Sequence, residues 1–155
     1  MARSAVNFLV AVAVFVTVGA SAGRAETVED VTSDGTLVLS GGKKVVLAGI
    51  RIDPEGISVL RVLVKKQDLR LDQATVPPPD ASQAVYAYLK AKSLTFPAKP
   101  QDVSEENEIL LNGFLLSLGA ARVAEAEQFE KKAEFMELQA EAKKKGEGVW
   151  SYVGS

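Results

Sequence analysis

Two tight-turn signals, Ser33-Asp34-Gly35 and Ser40-Gly41-Gly42-Lys43, divide residues 27–52 into three short β-rich runs. Glycine reaches positive φ without a Cβ clash, which is what tight hairpin loops require. Residues 27–31, 36–39 and 44–52 are therefore expected to form an antiparallel meander, with Val45, Leu47 and Ile50 as its apolar positions. Pro54 then starts a helix, because the first helical position has no use for the missing N–H. Ile57, Leu60 and Val64, with Val59 and Leu63, recur at helical spacing, and Arg61, Lys65 and Lys66 fall outside that stripe.

The rest of the chain alternates in the same way. Leu69-Arg70-Leu71-Asp72 reads as a strand. Val76-Pro77-Pro78-Pro79-Asp80 reads as an exposed polyproline connector, since proline cannot donate to a ladder. Residues 84–96 fit a strand, favoured by Tyr86, Tyr88, Leu94 and Phe96, or an amphipathic helix started by Asp80. After a polar loop over 97–107, a helix is expected over 108–118 and is stopped by Gly119. Residues 120–123 are a link or short strand. A long helix is expected over 125–145, with Phe129, Ala133, Met136 and Ala140 as its apolar stripe. Its three closing lysines suit the helix dipole. Trp150 and Tyr152 are expected to pack back onto the core.

The front of the chain has a different character. Arg3 precedes the apolar run 8–18 (FLVAVAVFVTV), and small residues lead to Gly23-Arg24-Ala25. That is the pattern of a secretory signal peptide over residues 1–25, and the run is shorter than the ~18 apolar residues of a spanning helix. Export to the periplasm or medium is expected, with one domain over 26–155 and no membrane span after cleavage; an uncleaved N-terminal anchor is the alternative. Without Arg3 and Arg24 the 18 basic residues become 16 against 20 acidic, a net charge of about −4. Nucleic-acid binding profits from the opposite sign. Cysteine and histidine are both absent, which excludes disulfides, Cys/His metal sites and histidine acid–base chemistry.

In order and spacing these segments resemble the staphylococcal nuclease-like (thermonuclease) family over nearly the whole mature chain. The residues that carry the resemblance are Val31-Thr32-Ser33-Asp34-Gly35-Thr36, Val46-Leu47-Ala48-Gly49-Ile50, Asp53-Pro54-Glu55, residues 80–88 (DASQAVYAY), residues 112–123 (NGFLLSLGAARV) and Lys144-Lys145-Gly146-Glu147-Gly148-Val149-Trp150. The resemblance implies an α+β fold, a five-stranded OB-fold barrel with about three helices. It also implies calcium-assisted phosphodiester hydrolysis, in which two carboxylates hold the cation, a glutamate activates water and two arginines clamp the phosphate.

Carried over position by position, that chemistry is depleted. The family's first metal carboxylate falls on Ser33, and the second aspartate of the same motif falls on Gly35. The two arginines fall on Val46 and Ala84. Arg51 stands where the other metal carboxylate is expected. One extra residue displaces Asp53 by two positions, about 6–7 Å along a strand. Glu55 keeps its place after Pro54 as the candidate base. The candidate set is thus Glu55 and Arg51 as catalytic residues and Asp53 as a metal ligand. Asp34 reads as a turn residue and Asp80 as a cap.

The leading expectation is an exported nuclease-fold protein without efficient catalysis, acting as a binding module, monomeric and without a cofactor. The first alternative is a divergent calcium-dependent nuclease built on Glu55, Asp53 and Arg51, the only reading that calls for calcium. The second is an envelope protein that docks a partner through its C-terminal helix. Weak nucleic-acid binding would use the lysines at 43–44, 65–66 and 143–145, or Tyr86 and Tyr88 as stacking platforms. The partner itself is not specified by the sequence.

Overall fold

The structure, a computed structural model, describes residues 16–17, 24–74, 83–94 and 107–152. The meander is present as β2 (Arg24–Val31), β3 (Leu37–Leu39) and β4 (Lys44–Leu47), each antiparallel to the next. β2 begins at Arg24 rather than at residue 27. Its first half pairs with β6 (Asp68–Gln73) and its second half with β3. The register shifts between Val28 and Asp30, and such a bulge bends a strand enough for it to serve two neighbours. β6 pairs onward with β7 (Gln83–Lys90), and β7 runs parallel to β4. The ring β2–β3–β4–β7–β6 is thereby closed, and no long unpaired edge is left in it.

The parallel pairing of β4 and β7 requires a crossover. Helix α1 (Pro54–Val64) and β6 supply it, with Pro54 at the helix start as expected and Leu60, Leu63 and Val64 buried against the barrel. Three expectations need correction. Residues 44–52 are not one strand. Gly49 takes φ 76°, the chain leaves the barrel there, and β5 (Ile50–Ile52) pairs with β9 (Ala121–Val123) instead. Residues 108–118 are not all helix. β8 (Glu108–Leu110) first extends the sheet beside β7, and helix α2 (Leu111–Ser117) follows. A two-residue strand, β1 (Val16–Thr17), lies on the outer edge of β8.

The third correction concerns the C-terminal helix. α3 runs over Lys132–Lys145, and residues 125–131 form turns in which Glu127 N–H bonds the Ala124 carbonyl and Lys132 N–H the Phe129 carbonyl. The buried stripe is Phe135, Leu138, Gln139 and Ala142, at i, i+3, i+4 and i+7. Met136 is 37% exposed and Ala133 and Ala140 face solvent, so that stripe was phased wrongly. Phe129 reaches the core from the turn, not from a helix. Residues 84–96 resolve as strand to Lys90, followed by a 3-10 turn (Ala91–Ser93). Gly119 ends α2 at φ 69°, and Trp150 packs with Ala142 and Val149. The polyproline segment, Asp80, Phe96, the 97–106 part of the polar loop and most of the leader lie outside the described residues, as does the Tyr152 side chain.

One buried polar residue fastens the barrel. β4 ends opposite Val85, and β8 joins β7 only from Tyr88, so this side of β7 has a gap in its ladder. Asn112, fully buried on α2, fills it. Its carbonyl accepts from Ala87 N–H at 3.0 Å, and its amide donates to the Ala48 and Val85 carbonyls at 3.0 Å each. On the barrel exterior, Arg70 of β6 reaches over the Tyr88 ring to Glu108 of β8 at 2.8 Å and also pairs with Asp72.

Candidate functional site

The β2–β3 hairpin loop, the end of β4, the Gly49 turn, the start of α1, the start of β7 and residues 127–129 enclose a cavity of about 410 Å³ at the barrel mouth. That lies within the roughly 300–1,000 Å³ of small-ligand sites. The walls follow from topology. Val46 and Ala84 are direct partners in the parallel β4–β7 pair, so their side chains stand together on one wall. Pro54 and Ile57, three residues apart on α1, make a second wall. The third is the Phe129 ring, lying on the bare backbone of Gly49, where an added Cβ would come within 2.5 Å of the ring. Phe129 is held in turn by Phe135 (centroids 5.4 Å apart), which meets Tyr86 edge-on at 6.2 Å.

The rim is polar. Asp34 accepts hydrogen bonds from the Thr32 hydroxyl and, at 3.2 Å, from Thr36 N–H. The Thr32 bond first, and then the backbone bond, hold its carboxyl below the usual carboxylate range. Arg51 of β5 lines the cavity and sits 3.6 Å from Glu127, the arginine well exposed and the glutamate half-buried. Ser33 and Gly35 complete the hairpin side, and Gly35 adopts φ 89° against the Ile52 side chain.

Four of the positions onto which the resemblance places carboxylates or arginines, Ser33, Gly35, Val46 and Ala84, line this one cavity, as does Arg51 at a further carboxylate position. None of the four bears a charge. The three candidate residues are distributed differently. Arg51 is at the cavity. Asp53 is turned to Arg122 of β9, with Nε 3.2 Å from Oδ1. Glu55 is exposed in the first turn of α1 and borders, with Val59 one turn later, a separate apolar groove of about 180 Å³ against Gly119 and Gly148. The roughly 100° step between successive helical residues puts Glu55 off the face that carries Pro54 and Ile57. Among the described residues no group of three or more His, Cys, Asp or Glu is arranged to hold a metal.

Sequence reasoning missed Arg122, Glu127 and the role of Phe129. Arg122 stands directly opposite Arg51 in the β5–β9 ribbon, a like-charge pair that costs stability unless each member finds an anion. Asp53 and Glu127 supply those anions. The alternation Ala121-Arg122-Val123 signals that Arg122 points outward, but its partner lies 69 residues away. The basic surface is partly engaged within the chain: Lys66 bonds Glu29 at 2.7 Å, Lys43 lies 3.8 Å from Glu26, and Lys143 sits over the Trp150 ring. Tyr86 and Tyr88 are 3% and 5% exposed, which leaves no ring face open for a base to stack on. Among the described residues no helix is long and apolar enough to cross a membrane.

The family model described as staphylococcal nuclease homologue matches residues 58–152 of the chain. The matched range includes Ala84 but begins inside α1, beyond the segments that supply Ser33, Gly35, Val46 and Arg51. No curated protein matches the chain.

Proposed function

Because the chain belongs to the staphylococcal nuclease homologue family, we propose that it is an exported binding module built on the nuclease barrel, without efficient phosphodiester cleavage. The observation that carries the reading is the Val46–Ala84 wall. Phosphoryl chemistry needs guanidinium groups aimed at the anionic transition state. Here the two positions that would supply them pair side by side as valine and alanine. Losing one such donor typically lowers a rate by ~10²–10³, so losing two, with a metal carboxylate gone as well, leaves about 10⁻⁴ or less. Arg51 lines the cavity but comes from β5 rather than from β4 or β7, and its guanidinium lies beside the Glu127 carboxylate. The apolar leader supports export to the periplasm or medium.

The competing reading is a divergent calcium-dependent nuclease that uses Glu55, Asp53 and Arg51. It draws on the position of Arg51 at the cavity. The separation of Glu55 from the cavity and the engagement of Asp53 with Arg122 weigh against it. The two readings divide on one assay: purified mature protein incubated with single-stranded DNA, RNA and calcium. The binding-module reading expects no calcium-dependent digestion and no change on Glu55→Gln. Robust digestion that Glu55→Gln abolishes would overturn it.

A further inference from the structure

We propose that folding and removal of the leader exclude one another: a chain that folds before it is processed keeps its leader, with Val16–Thr17 bound on the outer edge of β8 and the processing junction sealed inside β2. The inference rests on the reading of residues 1–25 as an export leader and is separate from whether the barrel cleaves anything. The expected junction lies between Ala25 and Glu26. In the folded chain both residues belong to β2 and are half-buried. Arg24 stands opposite Leu71 of β6, Ala25 opposite Arg70 and Glu26 opposite Leu69. A peptidase takes its substrate as a free segment, so a junction paired in a ladder is cut only through opened molecules.

The barrel also provides a place for the leader. The ring β2–β3–β4–β7–β6 closes on itself, and β8 hangs on β7 outside it with its far edge open to a further strand. The Asn107 carbonyl faces β7, where it accepts from Ala91 N–H at 2.8 Å. Backbone direction alternates along a strand, so the N–H and C=O of Glu108 face away from β7. Thr17 stands opposite Glu108 on that side, and Val16 opposite Ile109. β8 (EIL) carries neither the lysine nor the proline that commonly blunts an exposed edge. Its one charged side chain, Glu108, is drawn back to Arg70 of β6 at 2.8 Å. The leader sequence suits the role. Valine recurs at positions 10, 12, 14, 16 and 18, a two-residue period of β-branched residues that fits a strand better than a helix.

The test uses the full chain, purified folded with its leader. Hydrogen exchange at the Glu108 amide should be at least about tenfold slower than in Thr17→Pro, which removes the N–H that faces Glu108, while the amides of the closed ring stay unchanged. Trypsin, which cuts after Arg24, should cleave that bond at least about tenfold more slowly than in a free peptide of residues 18–30. The chain has no cysteine, so Thr17→Cys with Glu108→Cys allows a single disulfide. The Cα atoms of a hydrogen-bonded antiparallel pair lie about 5.5 Å apart, within disulfide range, so this pair should oxidise readily in the folded chain and poorly in urea. Equal exchange at Glu108 in the two proteins, or cleavage after Arg24 as fast as in the peptide, would overturn the inference and leave the export and binding-module readings standing. A chain that still keeps residues 1–25 after crossing the membrane unfolded would overturn the export reading, and this inference with it.

Discussion

Replacing Asn112 should be the most damaging single polar substitution in the described structure. Asn112→Ala takes the partner from Ala87 N–H and from the Ala48 carbonyl, while the Val85 carbonyl keeps its bond from Ala48 N–H at 2.8 Å. Two backbone groups are then left wanting in a fully buried setting, at about 1–3 kcal/mol each. The expected loss is about 4 kcal/mol, a large part of the roughly 5–15 kcal/mol that such domains have. Urea unfolding of the mature protein measures it. With a slope of about 2 kcal/mol/M, the midpoint should fall by about 2 M with the slope unchanged.

Asn112→Asp separates hydrogen bonding from packing. The aspartate keeps the Ala87 bond but turns a second oxygen toward two carbonyl oxygens, so at pH 7 it should be at least as unstable as the alanine variant. Burial and those carbonyls raise its folded pKa above the unfolded value. A raised folded pKa means that the contribution is fully present below the unfolded pKa and is lost as pH rises through the folded one. The aspartate variant should therefore gain stability on acidification relative to the alanine variant. A loss below about 1 kcal/mol for Asn112→Ala, or an aspartate variant whose stability relative to alanine does not change with pH, would refute the argument.

Gly56→Ala should destabilise, although the same change in an ordinary helix interior gains about 1 kcal/mol, because the new Cβ would lie 1.9 Å from the Ala120 carbonyl oxygen; a raised melting temperature would contradict the α1–β9 approach. Phe135→Ala should cost about 3–5 kcal/mol, whereas Met136→Lys should stay within about 0.5 kcal/mol, and chemical denaturation of the pair checks the phase of α3. Asp34 has a lowered folded pKa, so its contribution is present above the unfolded value and is lost as pH falls through the folded one. Asp34→Asn should flatten the acid limb of the stability–pH curve slightly, the effect being small at so exposed a position.

Local chemistry was enough to place the turns at 33–35 and 40–43, the proline start of α1, the Gly119 stop and the alternating β6. Each of those signals depends on φ preferences or on a period spanning a few residues. The same signals misjudged the start of α3. Residues 125–131 are good helix formers, but the contact of Phe129 with Gly49 outweighs their propensity, a weak prior that tertiary contacts override. With the helix beginning at Lys132, its buried stripe runs through Phe135, Leu138, Gln139 and Ala142, and Met136 faces outward.

The order of turns, strands and helices, together with the family resemblance, pointed to the barrel class, and the motif order showed which four positions had lost their charge. Only the tertiary structure decided that those four positions meet in one cavity, that Glu55 faces away from it, and that Asp53 and Arg51 each have an oppositely charged partner of their own. The physical reason is range. Turn and helix signals act between neighbours, whereas the Val46–Ala84 wall, the Asp53–Arg122 pair and the Asn112 bridge join segments dozens of residues apart, which approach only once the bulged β2 has closed the ring.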